Sequence, residues 1–352
     1  MDLVVLAIAF VVILIGAELF TNGIEWFGHK LELAEGAVGS VLAAVGTALP
    51  ETMIPIIAIV GTSSAETDAI GVGAILGAPF MLSTLAMFVT GVAVLTFGRR
   101  RGKSDAMDVD PVVLTHDMRT FAIAYAIAIG AAFLPVEPVW LKWLVAVGLI
   151  AIYARYVKQH FDADRAPVGE GNGDDLAPLR FHRVDRSAHR VDPAVPRLRV
   201  VNLQVIAALA LIIGGAVAFV DAVEGISAGL GVNPALLALV IAPVATELPE
   251  KFNSVIWVRS GKHTLAMGNI TGAMVFQSTI PTVVALVLAP AAWVAAEGSY
   301  TAFASAGIAF LSSAAIFIPM ARRGRLRGRD LLIGGAFYLA YLVLVLWVIA
   351  NS

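Results

Sequence analysis

The feature that most constrains this chain is a series of apolar runs, each close to the roughly 20 residues that an α-helix needs to cross a bilayer. Hydrophobic residues make up 59% of the 352 residues and charged residues only 14%, too few charges for the surface of a water-soluble domain. We therefore predict an all-α integral membrane protein. Its ten predicted transmembrane helices cover about 3–27, 36–61, 69–97, 118–134, 138–157, 201–223, 232–258, 264–290, 300–320 and 330–350.

Lysine and arginine are distributed as ten alternating crossings require. All but Lys142 and Lys251 lie in segments that would share one side of the membrane. These segments are 98–119, 158–200, 259–263 and 321–329, with the turn at Lys30 and the helix end at Arg155. Because basic loops stay cytoplasmic, we predict a multi-pass protein of the cell membrane with both termini outside the cytoplasm. The first run lacks the basic n-region and cleavage site of a signal peptide, so we interpret it as a span.

The second half of the chain repeats the first. The pair Pro50-Glu51 returns as Pro249-Glu250, 199 residues later (250 − 51), and after this motif the offset becomes 195. The first offset also pairs Gly16 with Gly215, Phe20 with Phe219 and Thr47 with Thr246; the second pairs Ser83 with Ser278 and Thr84 with Thr279.

Five spans are an odd number, so the second copy would enter the membrane from the opposite face. This predicts two inverted-topology five-helix repeats, an architecture of secondary transporters whose sites lie at the repeat interface near the midplane. The predicted boundaries are 1–157 for the first repeat, 158–200 for a flexible cytoplasmic linker, and 201–352 for the second repeat.

Each Pro-Glu pair places a costly group in hydrocarbon. Proline leaves the carbonyl four residues earlier without its helical donor, and an intramembrane carboxylate is expensive and usually functional. Carboxylates, freed carbonyls and the nearby threonine hydroxyls are oxygen ligands of the kind that hard cations prefer. Glu51 and Glu250 would thus flank one midplane site suited to a divalent cation. The alternative is a pair of kinked helices whose glutamates are protonated or hydrogen-bonded internally.

Gly46-Thr47-Ala48-Leu49-Pro50-Glu51 resembles the first repeat motif of the cation/calcium antiporter superfamily, which includes the sodium/calcium exchangers, and Thr246-Glu247-Leu248-Pro249-Glu250 resembles the second. The resemblance implies exchange of Ca²⁺ for Na⁺ or H⁺ by alternating access. It implies that Glu51 and Glu250 bind the shared cation, with oxygen ligands from Thr47 and Thr246.

The chain departs from that family's pattern at four ligand positions, which hold Ala48, Pro79, Ala273 and Met274. None of these side chains offers a hard oxygen ligand. Polar residues close by in the sequence are candidates to compensate: Asn269, Gln277, Ser83, Ser278, Thr84 and Thr279.

Glu247 and Lys251 are spaced i, i+4, which favours an ion pair on a helix. In one interpretation the two charges neutralise each other and leave Glu51 and Glu250 as the working site. In the other, the ammonium takes the place of a co-transported sodium ion, and the coupling ion is a proton.

Polar residues of the first and sixth spans are candidates to line cation access pathways, with interfacial solvated side chains as the alternative: Glu18, Asn22, Glu25, Asp221 and Glu224. The six histidines fall in predicted cytoplasmic segments and are interpreted as solvated loop residues. They are His29, His116, His160, His182, His189 and His263. The absence of cysteine excludes thiol chemistry and disulfides.

The favoured function is secondary active antiport of Ca²⁺ against Na⁺ or H⁺. An antiporter for another cation with proton coupling, an ion channel and an intramembrane enzyme are the alternatives. The chain lacks GxSxG and HExxH motifs, which disfavours an enzyme. We expect inorganic cations and the lipid bilayer as partners, and infer no cofactor, nucleic acid or protein partner.

Overall fold

A computed structural model describes residues 1–30, 43–61, 64–100, 105–163, 178–184, 196–259, 261, 263–296 and 299–351. Within these ranges the chain is helical apart from one two-residue antiparallel ladder and short connecting segments. The predicted all-α class is confirmed. An α-helix satisfies its own backbone hydrogen bonds, which is the condition for crossing lipid as a single segment.

The first half contains α1 (Asp2–Lys30), α2 (Ala43–Gly61), α3 (Ala65–Met81), a π-helical turn (Leu82–Ala86), α4 (Met87–Arg100), α5 (Pro111–Gly130) and α6 (Trp140–Ala163). The second half contains α7 (Leu198–Leu230), α8 (Pro234–Thr246), α9 (Leu248–Arg259), α10 (His263–Leu288), α11 (Tyr300–Arg323), α12 (Gly328–Leu331) and α13 (Ile333–Asn351). Short 3₁₀ turns cover Ala131–Phe133 and Arg180–Val184, and strands β1 (Ala106–Met107) and β2 (Leu326–Arg327) pair with Ala106 opposite Arg327.

Eight helical segments in the described part of the chain are long and apolar enough to cross a membrane. They correspond to eight of the ten predicted spans. The other two, 36–61 and 232–258, carry the Pro-Glu pairs and contain the shorter apolar helices Glu51–Val60 and Pro234–Pro243. Residues 31–42 lie outside the described ranges.

Helices α1 and α7 pack along each other through a reciprocal contact. A Cβ on Gly16 would lie 2.8 Å from Cγ1 of Ile212. A Cβ on Gly215 would lie 2.7 Å from Cγ1 of Ile13. The offset of 199 converts one contact into the other, since it relates Gly16 to Gly215 and Ile13 to Ile212. The two helices therefore meet through equivalent surfaces.

Helices α3 and α8 approach closely at Gly73 and Gly77. A Cβ on Gly73 would overlap the carbonyl oxygen of Ala235, and one on Gly77 would overlap that of Leu239. Small residues four apart let membrane helices pack against each other's backbones. Because α3 and α8 come from different halves of the chain, this crossing joins the two halves.

Three segments that lie in or beside lysine- and arginine-rich stretches meet at one end of the helices. The N–H of Asp108 donates to Nδ1 of His263 at 3.0 Å, and Thr264 Oγ1 accepts from the N–H of Asp110 at 3.2 Å. Strands β1 and β2 pair beside them, and Arg329 lies 3.4 Å from Asp105. The segments around residues 105–110, 263–264 and 326–329 are thus neighbours, as a shared side of the membrane requires.

At the opposite end of the helices, a buried lysine of α6 binds the segment that follows α10. Lys142 Nζ donates to the carbonyls of Pro290 and Trp293, at 2.5 and 2.8 Å. Trp293 Nε1 in turn donates to the carbonyl of Ala128 at 2.9 Å. These carbonyls follow the C-terminus of α10, where the helix dipole favours a cation. One of the two lysines outside the shared basic segments therefore has a structural role.

Part of the predicted flexible linker is docked. The turn Arg180–Val184 packs against α1 and α7, and Leu179 before it is buried. Gln204 Oε1 accepts from the N–H of Phe181 at 2.8 Å, and Asn22 Oδ1 accepts from that of Arg180 at 3.0 Å. Flexibility is therefore the wrong description for residues 178–184. The acidic stretch 164–177 lies outside the described residues.

The close crossing of α3 and α8 makes Gly73 a sensitive position. We expect Gly73→Ala to cost about 1–3 kcal/mol of stability, as overpacking does elsewhere, because the methyl group would meet a backbone oxygen. The apparent melting temperature of the purified protein in detergent measures this. Gly214→Ala in α7 is the control, since a Cβ there meets nothing within 4 Å. Equal melting temperatures for the two variants would contradict the packing argument.

Candidate cation site

The two Pro-Glu segments differ in backbone structure. In the second half the helix is interrupted at Glu247, so that α8 ends at Thr246 and α9 begins at Leu248. Pro249 cannot donate to the carbonyl of Ala245, which accounts for a break here. In the first half α2 continues through Pro50. The helix is therefore broken beside the proline in the second copy, whereas α2 continues on both sides of Pro50.

Glu51 is buried in a small cavity where the two halves of the chain meet. Its side chain is 6% exposed, and the cavity has no space for a water molecule. The cavity is lined by Glu51 and Ile54 of α2, Ala74 and Ala78 of α3, and Ala242 and Pro243 of α8. Apolar walls solvate a carboxylate poorly, so the site favours a cation or a proton beside Glu51.

Glu247 and Lys251 form the expected i, i+4 pair. Lys251 Nζ lies 3.1 Å from Glu247 Oε2, with side-chain exposures of 7% and 1%. The same ammonium donates to the carbonyl of Pro243 at 3.3 Å. Because Pro243 lines the Glu51 cavity, a fixed positive charge is held directly behind the cavity wall.

Two amide side chains of α10 carry buried atoms that lack a hydrogen-bond partner among the described residues. They are Oε1 of Gln277 and Nδ2 of Asn269. Helix α10 packs against α2, the helix that carries Glu51. The Gln277 oxygen is an acceptor that needs a partner, and a cation supplies one, whereas Nδ2 of Asn269 is a donor and needs an acceptor. Both amides were predicted as substitutes for the missing ligands.

The hydroxyl residues predicted to compensate have matching hydrogen bonds in the two halves. Ser83 and Ser278 donate to carbonyls three residues earlier, at 3.0 and 2.9 Å. Thr84 and Thr279 donate to carbonyls four residues earlier, at 2.6 and 2.9 Å. None of the four lines the Glu51 cavity as the described residues define it.

Several predicted ligands lie on described helices, but their side chains fall outside the described part of the structure. Thr47 belongs to α2, Thr246 to α8 and Glu250 to α9; the side chain of Ala48, which stands at a lost family ligand position, also falls outside that part. At the remaining family ligand positions, Pro79, Ala273 and Met274, the structure places buried or half-buried residues. Of the predicted set, Glu51 is the one described side chain that lines the cavity.

The polar residues of α1 are tied to the docked linker segment. Arg180 forms an ion pair with Glu18 at 2.8 Å, in which both side chains are more than half exposed. Asn22 Oδ1 also accepts from Nε2 of Gln204 at 3.0 Å. Gln204 is buried and was not predicted. On α7, Asp221 is exposed and Glu224 is partly buried, whereas the Glu25 side chain lies outside the described residues.

A buried cluster of polar side chains around Asp117 was not predicted from the sequence. Asp117 of α5 is buried and accepts hydrogen bonds from Tyr156 of α6 at 3.0 Å and Thr271 of α10 at 2.6 Å. His160 Nε2 lies 3.4 Å from the same carboxylate, and His116 stacks on Tyr156. The interpretation of His116 and His160 as solvated loop residues is therefore wrong. In the sequence, only the i, i+4 spacing of Tyr156 and His160 pointed to this cluster.

Comparison with known proteins identifies related sequences and folds. The profile of the family described as "Sodium/calcium exchanger protein" matches residues 1–158 and 201–350. A sequence search of curated proteins finds no significant match. Among solved structures, the H⁺/Ca²⁺ exchanger CAX is 16% identical with a TM-score of 0.69, covering 99% of this chain and 85% of that one.

Two further structures share the fold. The sodium-calcium exchanger NCX_Mj is 16% identical with a TM-score of 0.57, covering 97% of this chain and 98% of that one. Native YfkE is 13% identical with a TM-score of 0.65, covering 98% and 92%. Identities this low establish a common fold and leave the bound ions of this chain open.

The buried Glu247–Lys251 pair predicts how substitutions of its two residues change the stability of the protein. We expect Lys251→Met to lower stability by about 3–5 kcal/mol, because it leaves the Glu247 carboxylate buried without its cation. Adding Glu247→Gln should recover most of that loss, since no unpaired charge remains. Apparent melting temperatures of the two single variants and the double variant measure the coupling. Additive losses in the double variant would show that the two charges do not depend on each other.

Proposed function

The chain belongs to the sodium/calcium exchanger family, and from that premise we propose that it exchanges Ca²⁺ for H⁺ or Na⁺ by alternating access. It is a multi-pass membrane transport protein and not an enzyme. Membership of this family supports cation/calcium antiport as the activity of the protein. Ca²⁺ is the proposed cargo, and no resident cofactor takes part.

The observation that carries the proposal is the buried Glu51 carboxylate between α2, α3 and α8. The cavity has no space for water, so a cation bound there would lose most of its hydration shell. Protein oxygens would have to replace that shell, and calcium takes six to eight of them. We propose Glu51 and Glu250 as the charged ligands. Gln277 and Asn269 of α10, with Thr47 and Thr246, complete the proposed set.

We propose that the ligands come from two inverted repeats. The reciprocal contact of Gly16 with Ile212 and of Gly215 with Ile13 supports this arrangement, because a two-fold axis relates contacts in this way. The matching hydrogen bonds of Ser83 and Ser278 support it as well. In such folds one repeat rocks against the other around a fixed midplane site.

The proposed orientation places both termini outside the cytoplasm. The segments around 105–110, 263–264 and 326–329, which lie in or beside basic stretches, meet at one end of the helices. The segments around 128–132 and 290–295 meet at the other end. This grouping is the one that ten crossings would produce, and the basic end would face the cytoplasm.

We propose the proton as the coupling ion. The Lys251 ammonium donates to the Pro243 carbonyl, so this place is taken by a fixed cation and not by a co-transported sodium ion. Protonation of a carboxylate neutralises charge without requiring further oxygen ligands. The chain also lacks side-chain oxygens at Ala48, Pro79, Ala273 and Met274. Exchange in which protons replace Ca²⁺ on the carboxylates is compatible with these losses.

Transport into proteoliposomes tests both the cargo and the coupling ion. We expect Ca²⁺ uptake by the purified protein to follow an imposed pH gradient and to persist without sodium. Glu51→Gln and Glu250→Gln should each abolish uptake, because each removes a charged ligand of the shared cation.

Glu66→Gln is the matched control for these variants, since Glu66 is an exposed carboxylate in the first turn of α3. It should transport at the wild-type rate. Uptake that requires a sodium gradient would overturn proton coupling and retain the calcium site. Absence of Ca²⁺ uptake under either gradient would overturn the calcium assignment.

A further inference from the structure

A groove between α5 and α11 lies apart from the cation site and has a volume of about 360 Å³. Its lining is apolar, with Phe121 of α5 and Phe310 and Phe317 of α11 among the wall residues. Leu311 and Ile318 on the adjoining face of α11 are exposed. Exposed aliphatic side chains beside a groove between membrane helices indicate that it opens to lipid.

The dimensions of the groove suit one leaflet. Its lining residues on α11 run from Phe310 to Ala321, about 16 Å at 1.5 Å per residue. Half of a typical hydrocarbon core is about 15 Å thick. These residues occupy the half of α11 that leads to the basic end of the molecule. The groove therefore has the length of an acyl chain in the leaflet on that side.

Three polar side chains interrupt the apolar lining: Thr115 and Arg119 of α5, and Ser313 of α11. Arg119 of α5 lines the groove, is exposed, and forms no ion pair with another described residue. Ser313 of α11 is 7% exposed, and its Oγ is buried without a hydrogen-bond partner among the described residues. A guanidinium binds phosphate well, and a buried hydroxyl needs a partner.

Further positive charge surrounds this end of the groove. Arg322 and Arg323 are exposed in the last turn of α11. Basic pockets between membrane helices on the cytoplasmic side attract anionic lipid head groups. The groove thus combines an apolar wall for an acyl chain with a cationic rim for a phosphate.

We propose that the α5–α11 groove binds an anionic phospholipid of the surrounding leaflet. One acyl chain would pack against Phe121, Phe310 and Phe317. The phosphate would lie at the basic end of the groove and accept hydrogen bonds from Arg119. This proposal is independent of the ion that the protein transports.

Native mass spectrometry of the purified full-length protein tests the proposal directly. Phosphatidylglycerol and phosphatidylcholine with identical acyl chains are titrated in detergent, and the retained lipid is counted. We expect preferential retention of phosphatidylglycerol. Arg119→Gln should weaken its retention about fivefold, the effect of one basic residue near an anionic head group. Ala314→Trp should displace the lipid by filling the groove, since Ala314 is one of its lining residues.

Arg155→Gln is the charge-matched control, because Arg155 is an exposed arginine on α6 and does not line the groove. It should leave retention unchanged, and melting temperatures verify that all variants are folded. Equal losses in Arg119→Gln and Arg155→Gln would overturn a specific site in favour of general charge attraction. Retention unaffected by Ala314→Trp would also overturn it. So would a dimer that forms in detergent without lipid and is lost in Ala314→Trp, since a second copy would then occupy the groove.

Discussion

The cost of holding charge away from water governs the interior of this molecule. A buried ion loses several kcal/mol of solvation unless other groups replace the water. Lys142 has two carbonyl partners, Lys251 has Glu247 and a carbonyl, and Asp117 has a tyrosine, a threonine and a histidine. Glu51 lies among mainly apolar walls where the two halves of the chain meet, and we propose that it binds the exchanged ions there.

The position of Glu51 depends on how the two halves pack. Gly73 and Gly77 bring α3 into backbone contact with α8, and this crossing forms two walls of the cavity. Lys251, which is paired with Glu247, also donates to the carbonyl of Pro243 on the α8 wall. A movement of one half against the other would therefore change the cavity directly, which links helix packing to access of the cation.

The sequence predicted the long helices and the Glu247–Lys251 pair because both depend on local spacing. Apolar run length determines whether a helix can cross a bilayer, and i, i+4 spacing brings two side chains together. It did not predict the Asp117 cluster, whose partners lie 39 and 154 positions away. Their meeting depends on the rotation and packing of α5, α6 and α10. The docking of residues 178–184 likewise depends on Asn22 and Gln204, which carry no local signal for it.

The central claim is that Glu51 and Glu250 belong to one cation site, and calcium binding to the purified protein tests it most directly. Isothermal titration of the wild type, Glu51→Gln, Glu250→Gln and the double variant gives the coupling between the two carboxylates. One shared site predicts a single high-affinity calcium in the wild type and equal loss of binding in each single variant and in the double variant. Two partial losses that add up in the double variant would contradict the claim, because each carboxylate would then bind calcium without the other.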